Sequence, residues 1–177
     1  YLYVTLPGMS VEEIKDYAAN NSLEVVESSK NAHVIKYRNG NVLAINYWGT
    51  EPYKTDWLTL DAEEGSSPAS SVIVTEDVGV YTLSITDPNY ADAKVRLTSD
   101  CAMNVLSKDD AITVVDENTI LVDTTDVGGH SLQISFTLEG KEPTIIWPAA
   151  QDISYGQKLA DSQLAGGSTG TFVWAEP

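Results

Sequence analysis

Apart from its many carboxylates, the sequence holds few residues that could carry out chemistry. It has two His, one Cys, and 26 Asp or Glu against 10 Lys or Arg, which gives a net charge of −16. His33 lies in an alternating, strand-like stretch, and His130 follows the turn residues Gly128-Gly129. Nucleophilic catalysis needs a nucleophile, a base and a group that orients the base. No such arrangement can be read around either His, so we expect His33 to be a sheet residue and His130 a solvated loop residue.

Motifs for nucleophiles, cofactors and metals are also missing from the sequence. No G-x-S-x-G, H-E-x-x-H, P-loop or C-x-x-C pattern occurs. The lone Cys101 cannot form an internal disulfide, and we expect it to be a small buried hydrophobic residue. An acid/base pair among the 26 carboxylates stays open as an alternative to a solvated acidic surface, although nothing in their spacing selects one pair. The sequence therefore singles out no catalytic residue and no organic cofactor in this chain.

Calcium is the ion that an acidic, β-rich chain is best suited to bind, because it takes carboxylate and carbonyl oxygens from loops. The candidate ligands are Asp87, Asn89 and Asp92, which lie within six consecutive residues. A second acidic cluster is Asp61-Ala62-Glu63-Glu64. Neither cluster is an EF-hand loop, so ordinary turns are the alternative interpretation.

Three aromatic residues are close together in sequence around the turn Gly49-Thr50-Glu51-Pro52. Trp48 ends an apolar stretch and is expected in the core, whereas Tyr53 and Trp57 flank a polar loop. Exposed aromatic faces surrounded by amides and carboxylates are typical of sugar-binding sheets. Tyr53 and Trp57 are therefore the candidate carbohydrate contacts, with packing over one end of the fold as the alternative.

The charge of the chain excludes several classes of partner. Nucleic-acid binding needs clustered Lys and Arg to neutralise phosphates, and an anionic membrane surface would repel a chain of −16. No run of 18 apolar residues exists, so we expect no transmembrane span. No basic segment precedes an apolar one at the start, so no signal peptide is expected.

The local patterns predict mainly β-structure. Val, Ile and Thr make up 44 of the 177 residues, and their branched side chains suit a pleated sheet. A capping box at Ser10-Val11-Glu12-Glu13 predicts one short helix that ends near Asn20-Asn21. From Leu23 to Leu138, alternating stretches of strand length recur every 8–12 residues between turns, which is typical of an antiparallel sandwich. The predicted fold is thus an all-β, antiparallel β-sandwich with one short N-terminal helix.

Three stretches resemble the C-terminal region of polysaccharide lyase family 8, which contains hyaluronate, chondroitin and xanthan lyases. The first is YLYVTLPGMS with the helix ending DYAANN. The second is LEVVESSKNAHVIKYRNGNVLAINYWG, which ends in Asn46-Tyr47-Trp48. The third is SSVIVTEDVGVYTLSITDPNY, which contains Asp87-Pro88.

The resemblance implies a division of the chain and a role for it. Residues 1–22 would be the last strand of a central sheet domain and a helical connector, and residues 23–141 the C-terminal sandwich. The family cleaves next to a uronic acid by elimination, mainly with Asn, His, Tyr and Arg on an α/α toroid. No position here matches those catalytic motifs. The partners implied are the toroid and the central β domain of the same parent chain.

The composition changes at Gly140-Lys141-Glu142-Pro143, and the remaining stretch resembles the opening of an Ig-like repeat of bacterial surface proteins. Residues 142–177 are therefore expected to be a partial β-repeat in a fragment of a longer protein. The first functional hypothesis is a non-catalytic sandwich of an extracellular lyase, bracing the catalytic domains, with an acidic polysaccharide as a ligand of the parent. The second is a stand-alone carbohydrate-binding, adhesion or spacer module of a cell-surface protein.

Overall fold

The computed structural model describes residues 4–37, 41–140, 148–150, 158, 162 and 164–165 of the 177-residue chain. Its elements, in chain order, are α1 (Val11–Asn20), β1 (Leu23–Ser28), β2 (Ala32–Tyr37), β3 (Val42–Tyr47), β4 (Tyr53–Lys54), β5 (Leu58–Ala62), β6 (Ser70–Asp77), β7 (Val80–Thr86), β8 (Lys94–Ser99), β9 (Met103–Lys108), β10 (Ile112–Val114), β11 (Thr119–Asp123), β12 (Leu132–Leu138), β13 (Ala149–Ala150) and β14 (Leu164–Ala165).

The strands form two antiparallel sheets, so the prediction of an all-β sandwich with one short helix is confirmed. The seven-stranded sheet has the order β1-β2-β3-β6-β7-β12-β9, and the five-stranded sheet has the order β10-β11-β8-β5-β4. A separate small pair joins β13 to β14. Among the described residues, no helix is long and apolar enough to span a membrane.

Strict alternation of side chains builds the core between the two sheets. In β6 the residues run alternately buried and accessible from Ser70 to Asp77, and β7 and β12 show the same period of two. Phe136 of β12 is fully buried and stacks on Tyr81 of β7, with the two ring centroids 5.8 Å apart. Val95 and Leu97 of β8 supply the facing layer and are also fully buried. Branched residues such as Val72, Ile85 and Val95 thus supply part of the inner faces of both sheets, together with Leu and aromatic residues.

The hairpin between β6 and β7 shows how turn chemistry fixes the register. Val78 and Gly79 both have positive φ, 49° and 81°, as the favoured two-residue hairpin turns require. The Glu76 carboxylate accepts a hydrogen bond of 2.7 Å from the Gly79 amide. Asp77 then pairs with Val80, and the alternation continues unbroken along both strands.

The predicted helix α1 is present, and its capping box is complete. Ser10 Oγ accepts from the Glu13 amide at 3.3 Å, and Glu13 Oε2 accepts from the Ser10 amide at 2.7 Å. No residue of α1 is buried. Residues 4–6 are not part of a strand, and residues 1–3 lie outside the described part. No strand of the described residues pairs with residues 4–6, and the assignment of residues 1–22 to a terminal strand and helical connector of a preceding domain stays a prediction.

Two residues are less buried than expected. The prediction that Trp48 lies in the core is wrong, because Trp48 is 44% exposed. Its ring lies edge-on to His33, and its Nε1 donates to the Lys30 carbonyl. Tyr47, the last residue of β3, is buried on the inner face, so the period of two places the next residue, Trp48, on the outer side. Cys101 is only partly buried and contacts the margin of the core. The predicted repeat in the tail lies mostly outside the described residues.

The two-residue strand β4 determines where the sandwich opens. It pairs only through Tyr53 with Leu60 and Lys54 with Thr59 at the edge of the five-stranded sheet. The opposite sheet continues beyond it with the six-residue strands β1, β2 and β3. The inner faces of β1 and β2 are therefore covered only in part, and this uncovered end is where a concave site can form.

Replacing Phe136 with Ala should destabilise the sandwich strongly. The fully buried ring would leave a cavity beside Tyr81, and such truncations cost about 3–5 kcal/mol. Chemical denaturation followed by circular dichroism measures the free energy of unfolding. Leu106→Ala is the control because Leu106 is 59% exposed, and it should change that free energy by less than about 0.5 kcal/mol. Equal losses in the two variants would contradict the position of the core.

Candidate functional site

A groove of about 490 Å³ lies at the open end of the sandwich. One wall comes from the inner faces of β1, β2 and β3, and the other from β4 and the loop that follows it. The groove contains both predicted sugar contacts, together with charged residues from both walls. Its lining includes Glu24, Glu27, Lys36, Leu43, Tyr53, Lys54, Asp56 and Trp57. Its size falls within the usual range of about 300–1,000 Å³ for small-ligand sites.

Tyr53 joins the two walls of the groove. Its ring stacks on Tyr47 of β3 at a centroid distance of 5.0 Å, and its hydroxyl donates to Glu27 Oε2 at 2.8 Å. Burial, followed by the hydrogen bond to Glu27, raises the pKa of the Tyr53 hydroxyl far above its ordinary value. The phenol is therefore a fixed neutral donor, and its ring is held by packing on Tyr47.

Glu27 is kept ionised by two hydroxyl donors. Ser29 Oγ donates to Glu27 Oε1 at 2.6 Å, and Tyr53 donates to the other oxygen. The hydrogen bond from Ser29, and then that from Tyr53, lowers the pKa of the Glu27 carboxyl. A bulge in β1 between Val25 and Glu27 shifts the register and sets Glu27 opposite the buried Val34. The bulge thus turns this carboxylate toward the groove.

Trp57 is placed by a tight loop after β4. The Thr55 amide and hydroxyl both donate to the Leu58 carbonyl, at 2.8 and 3.0 Å, and the Thr55 hydroxyl accepts from the Leu58 amide at 3.0 Å. The Trp57 carbonyl accepts from the Asp100 amide at 2.9 Å. The Trp57 ring packs against Tyr81 with centroids 5.6 Å apart. The Trp57 ring therefore packs against the margin of the core and also lines the groove.

Lys36 lies across the groove between carboxylates of opposite walls. Its Nζ is 3.7 Å from Glu24 of β1 and 3.7 Å from Asp56 of the loop after β4. Lys54 has a closer partner, because its Nζ is 2.9 Å from Asp100 Oδ1. The groove therefore combines aromatic rings, carboxylates and two ammonium groups, of which that of Lys54 is paired with Asp100. Together these groups suit a ligand rich in hydroxyl groups.

Two of the three predicted calcium ligands, Asp87 and Asp92, accept hydrogen bonds from backbone amides. Asp87 is buried, and its two oxygens accept from the amides of Asn89 at 2.8 Å and Ala91 at 2.7 Å. Asp92 Oδ1 accepts from the Asp126 amide at 3.3 Å. In the described part of the chain, no group of three or more His, Cys, Asp or Glu is arranged to hold a metal ion. Calcium binding at Asp87, Asn89 and Asp92 stays a prediction.

His33 lies in a strand and His130 in an exposed loop, as expected. His33 is an exposed residue of β2 on the outer face of the seven-stranded sheet, where it contacts Trp48. His130 lies in the loop before β12 and lines a second concavity with Tyr90 and Asp126. The structure thus places the two imidazoles in different surroundings.

Sequence reasoning found the two aromatic residues of the groove but missed its charges. The missed residues are Glu24, Glu27, Lys36 and Asp56. Lys36 lies two residues after the buried Val34 and pairs with Glu24 across the strands, so alternation alone would have placed both on an inner face. Two charges at inward positions are the signal of an uncovered sheet end.

Comparisons with known proteins find relatives of one functional type, although no family model matches the chain. A polysaccharide lyase 8 family protein, HylA, of Enterococcus faecalis is 28% identical over 135 residues, which is 76% of this chain and 9% of that protein. A solved xanthan lyase of Paenibacillus is 26% identical and has a TM-score of 0.66 over 78% of this chain and 13% of the lyase.

The homologue and the structural neighbours of this chain are polysaccharide lyases. A chondroitin AC lyase of Streptomyces coelicolor, solved as the Y253A mutant, has a TM-score of 0.63 at 20% identity over 76% of this chain. At this identity the comparison shows that the two folds are alike. The structure of the same enzyme in complex with chondroitin sulphate has a TM-score of 0.61 at 21% sequence identity over 76% of this chain. The chain spans only 9–18% of the length of these relatives. The resemblance to family 8 drawn from the three sequence stretches is therefore confirmed.

Glu27→Gln should remove a pH-dependent part of the stability. A carboxyl whose pKa is lowered by folding stabilises the native state above its unfolded pKa, near 4.5, and this contribution is lost as the pH falls through the lower folded value. The free energy of unfolding, measured from pH 7 to pH 3, should therefore be larger for the wild type at neutral pH and converge with the variant in acid. Two parallel curves would contradict the hydrogen bonds assigned to Glu27. Glu117→Gln, at an exposed residue outside the groove, is the control.

Proposed function

We propose that this chain is a non-catalytic β-sandwich module of a polysaccharide lyase of the family 8 type. The observation that carries the proposal is the extent of the similarity: about three quarters of this chain matches a small part of much longer lyases. In this proposal the elimination next to a uronic acid takes place on other domains of the polypeptide. The separate positions of His33 and His130 support a role without catalysis.

The outer faces of the two sheets differ in a way that supports a bracing role. The five-stranded sheet carries charges joined by ion pairs, Lys94 to Asp123 at 3.3 Å and Arg96 to the neighbouring Glu63 at 3.4 Å. The outward residues of the central strands β3, β6, β7 and β12 are uncharged, apart from Asp77 at the end of β6. They are Val42, Ala44, Asn46, Ser71, Ile73, Thr75, Val80, Thr82, Ser84, Thr86, Gln133, Ser135 and Thr137.

An uncharged sheet face is unusual for a chain of −16, because a solvated surface normally shares the charge of the protein. Its apolar part, with Ile73 51% exposed, is surrounded by hydroxyl groups, as in the moderately polar interfaces between domains. The occupant that we assign to this face is the remainder of the lyase polypeptide, which in the relatives makes up most of the length. By resemblance this means the central β domain and the α/α toroid.

The groove supports a second element of the proposal, a local contact with glycan. Tyr53 and Trp57 both line it, together with carboxylates and an ammonium group that can bind hydroxyls. Such a contact would occur outside the cell, where we place the parent protein, secreted or attached to the wall. The groove equally favours the alternative function, a stand-alone carbohydrate-binding or adhesion module.

The chain alone should not cleave polysaccharides. We expect no increase in the ultraviolet absorbance of unsaturated product when it is incubated with hyaluronan, chondroitin sulphate or xanthan. The positive controls are the unsubstituted chondroitin AC lyase of Streptomyces coelicolor on chondroitin sulphate and the Paenibacillus xanthan lyase on xanthan. Turnover by the chain would contradict the proposal. The variants His33→Ala and His130→Ala would then show whether either imidazole takes part.

A further inference from the structure

The groove contains more negative than positive charge that a ligand can reach. Three carboxylates line it, from Glu24, Glu27 and Asp56, and Asp56 has a side chain that is 86% exposed. Of the two ammonium groups, that of Lys54 is paired with Asp100. Lys36 is therefore the one groove cation of the described residues not in close contact with a carboxylate, and it is shared between Glu24 and Asp56.

The distances around Lys36 leave its donors available. At 3.7 Å from each carboxylate, the ammonium group is attracted electrostatically but lies beyond hydrogen-bond distance. An ammonium has three N–H donors, and hydroxyl groups of a ligand could bridge from it to either carboxylate. A hydroxyl can donate to a carboxylate and accept from an ammonium at once, which a carboxylate ligand cannot do.

We propose that the groove binds neutral sugar units and discriminates against uronate units. This inference rests on the glycan contact of the proposed function and adds the chemical class of the ligand. A uronate entering the groove would bring a fourth carboxylate close to Glu24, Glu27 and Asp56. The single shared ammonium of Lys36 is already attracted to two of them, so the repulsion is not offset.

The aromatic lining fits the same class of ligand. Tyr53 and Trp57 are held by stacking on Tyr47 and packing on Tyr81, so little side-chain entropy is lost when a sugar covers them. The Tyr53 hydroxyl is committed to Glu27, which fixes the ring further. An apolar sugar face can lie against these rings while its hydroxyls reach the charged groups of the opposite wall.

The binding test compares three probes by titration calorimetry with the whole chain at low ionic strength. They are the tetramers of β-1,4-linked glucose and of N-acetylglucosamine, both neutral, and tetragalacturonate, which is anionic. At least one neutral tetramer should bind, and tetragalacturonate should bind about tenfold more weakly than it or not at all. Absence of binding by both neutral tetramers, or tighter binding of the uronate, would overturn the inference.

A charge variant tests the cause of the discrimination. The double substitution Glu24→Gln with Asp56→Asn removes two groove carboxylates at accessible positions and leaves Lys36 in place. It should improve binding of tetragalacturonate relative to the neutral tetramer by about tenfold. The control, Asp110→Asn with Glu117→Gln, makes the same change in net charge at exposed residues outside the groove and should leave the ratio unchanged. Equal changes in both double variants would overturn the assignment to the groove.

A pair of Trp variants tests the location independently of charge. Trp57→Ala should reduce binding of the neutral tetramer at least tenfold, whereas Trp48→Ala, which removes an exposed Trp outside the groove, should not.

Asp56→Lys replaces a groove carboxylate with a cation at a highly exposed position, so it tests the site even if Trp57→Ala unfolds. It should favour tetragalacturonate, and an unchanged preference would overturn the inference. The proposed function and this inference can fail separately. Turnover by the chain in the lyase assay would contradict the non-catalytic role without changing the binding results.

Discussion

The burial of two apolar sheet faces against each other is the interaction on which the rest of this structure depends. The facing side chains of β6, β7 and β12 on one side and of β5, β8 and β11 on the other exclude water and hold the strands in register. The two sheets differ in width, and β4 has only two residues. Full burial is therefore reached in the middle of the sandwich and not beyond β4, where inner faces of β1 and β2 remain accessible.

The open end explains the charges that the sequence places at inward positions. Glu24 and Lys36 would be costly between two closed sheets, because desolvating ions requires close pairing. At an accessible groove they keep contact with water and can meet a ligand. The outer faces of the two sheets also differ in charge. The five-stranded sheet carries ion pairs, and the seven-stranded sheet presents uncharged residues such as Ile73 and Thr82. The molecule thus has two distinct surfaces, for which we propose a neighbouring domain and a glycan.

Most of the fold could be predicted from local patterns, because each strand has a period of two and ends in residues that favour turns. The strands from Leu23 to Leu138, the helix with its capping box, and the loop position of His130 all follow from such signals. The strand β4 was missed because two residues carry no period. Trp48 was misplaced because its apolar character was given more weight than the period of two, which places it outside, next to the buried Tyr47.

The site was harder to predict than the fold. Tyr53 and Trp57 were identified from their polar neighbours, but the carboxylates that complete the groove come from β1 and from the loop after β4. Strand pairing and the β1 bulge bring them together, and Glu27 and Tyr53 are 26 residues apart. The hydrogen bonds of Asp87 could not be read from its sequence either: its two oxygens accept from backbone amides of their own loop, and calcium binding there stays a prediction.

In our proposal the uncovered end of the sandwich is the ligand site of this chain. Chemical-shift mapping of backbone amides during titration with the neutral sugar tetramer that binds locates the site residue by residue. We expect shifts in β1, in β2 and in residues 53–57, with the loops around Asp87 and His130 unchanged. Shifts concentrated in those loops or on the outer sheet faces, with none along β1 and β4, would contradict it.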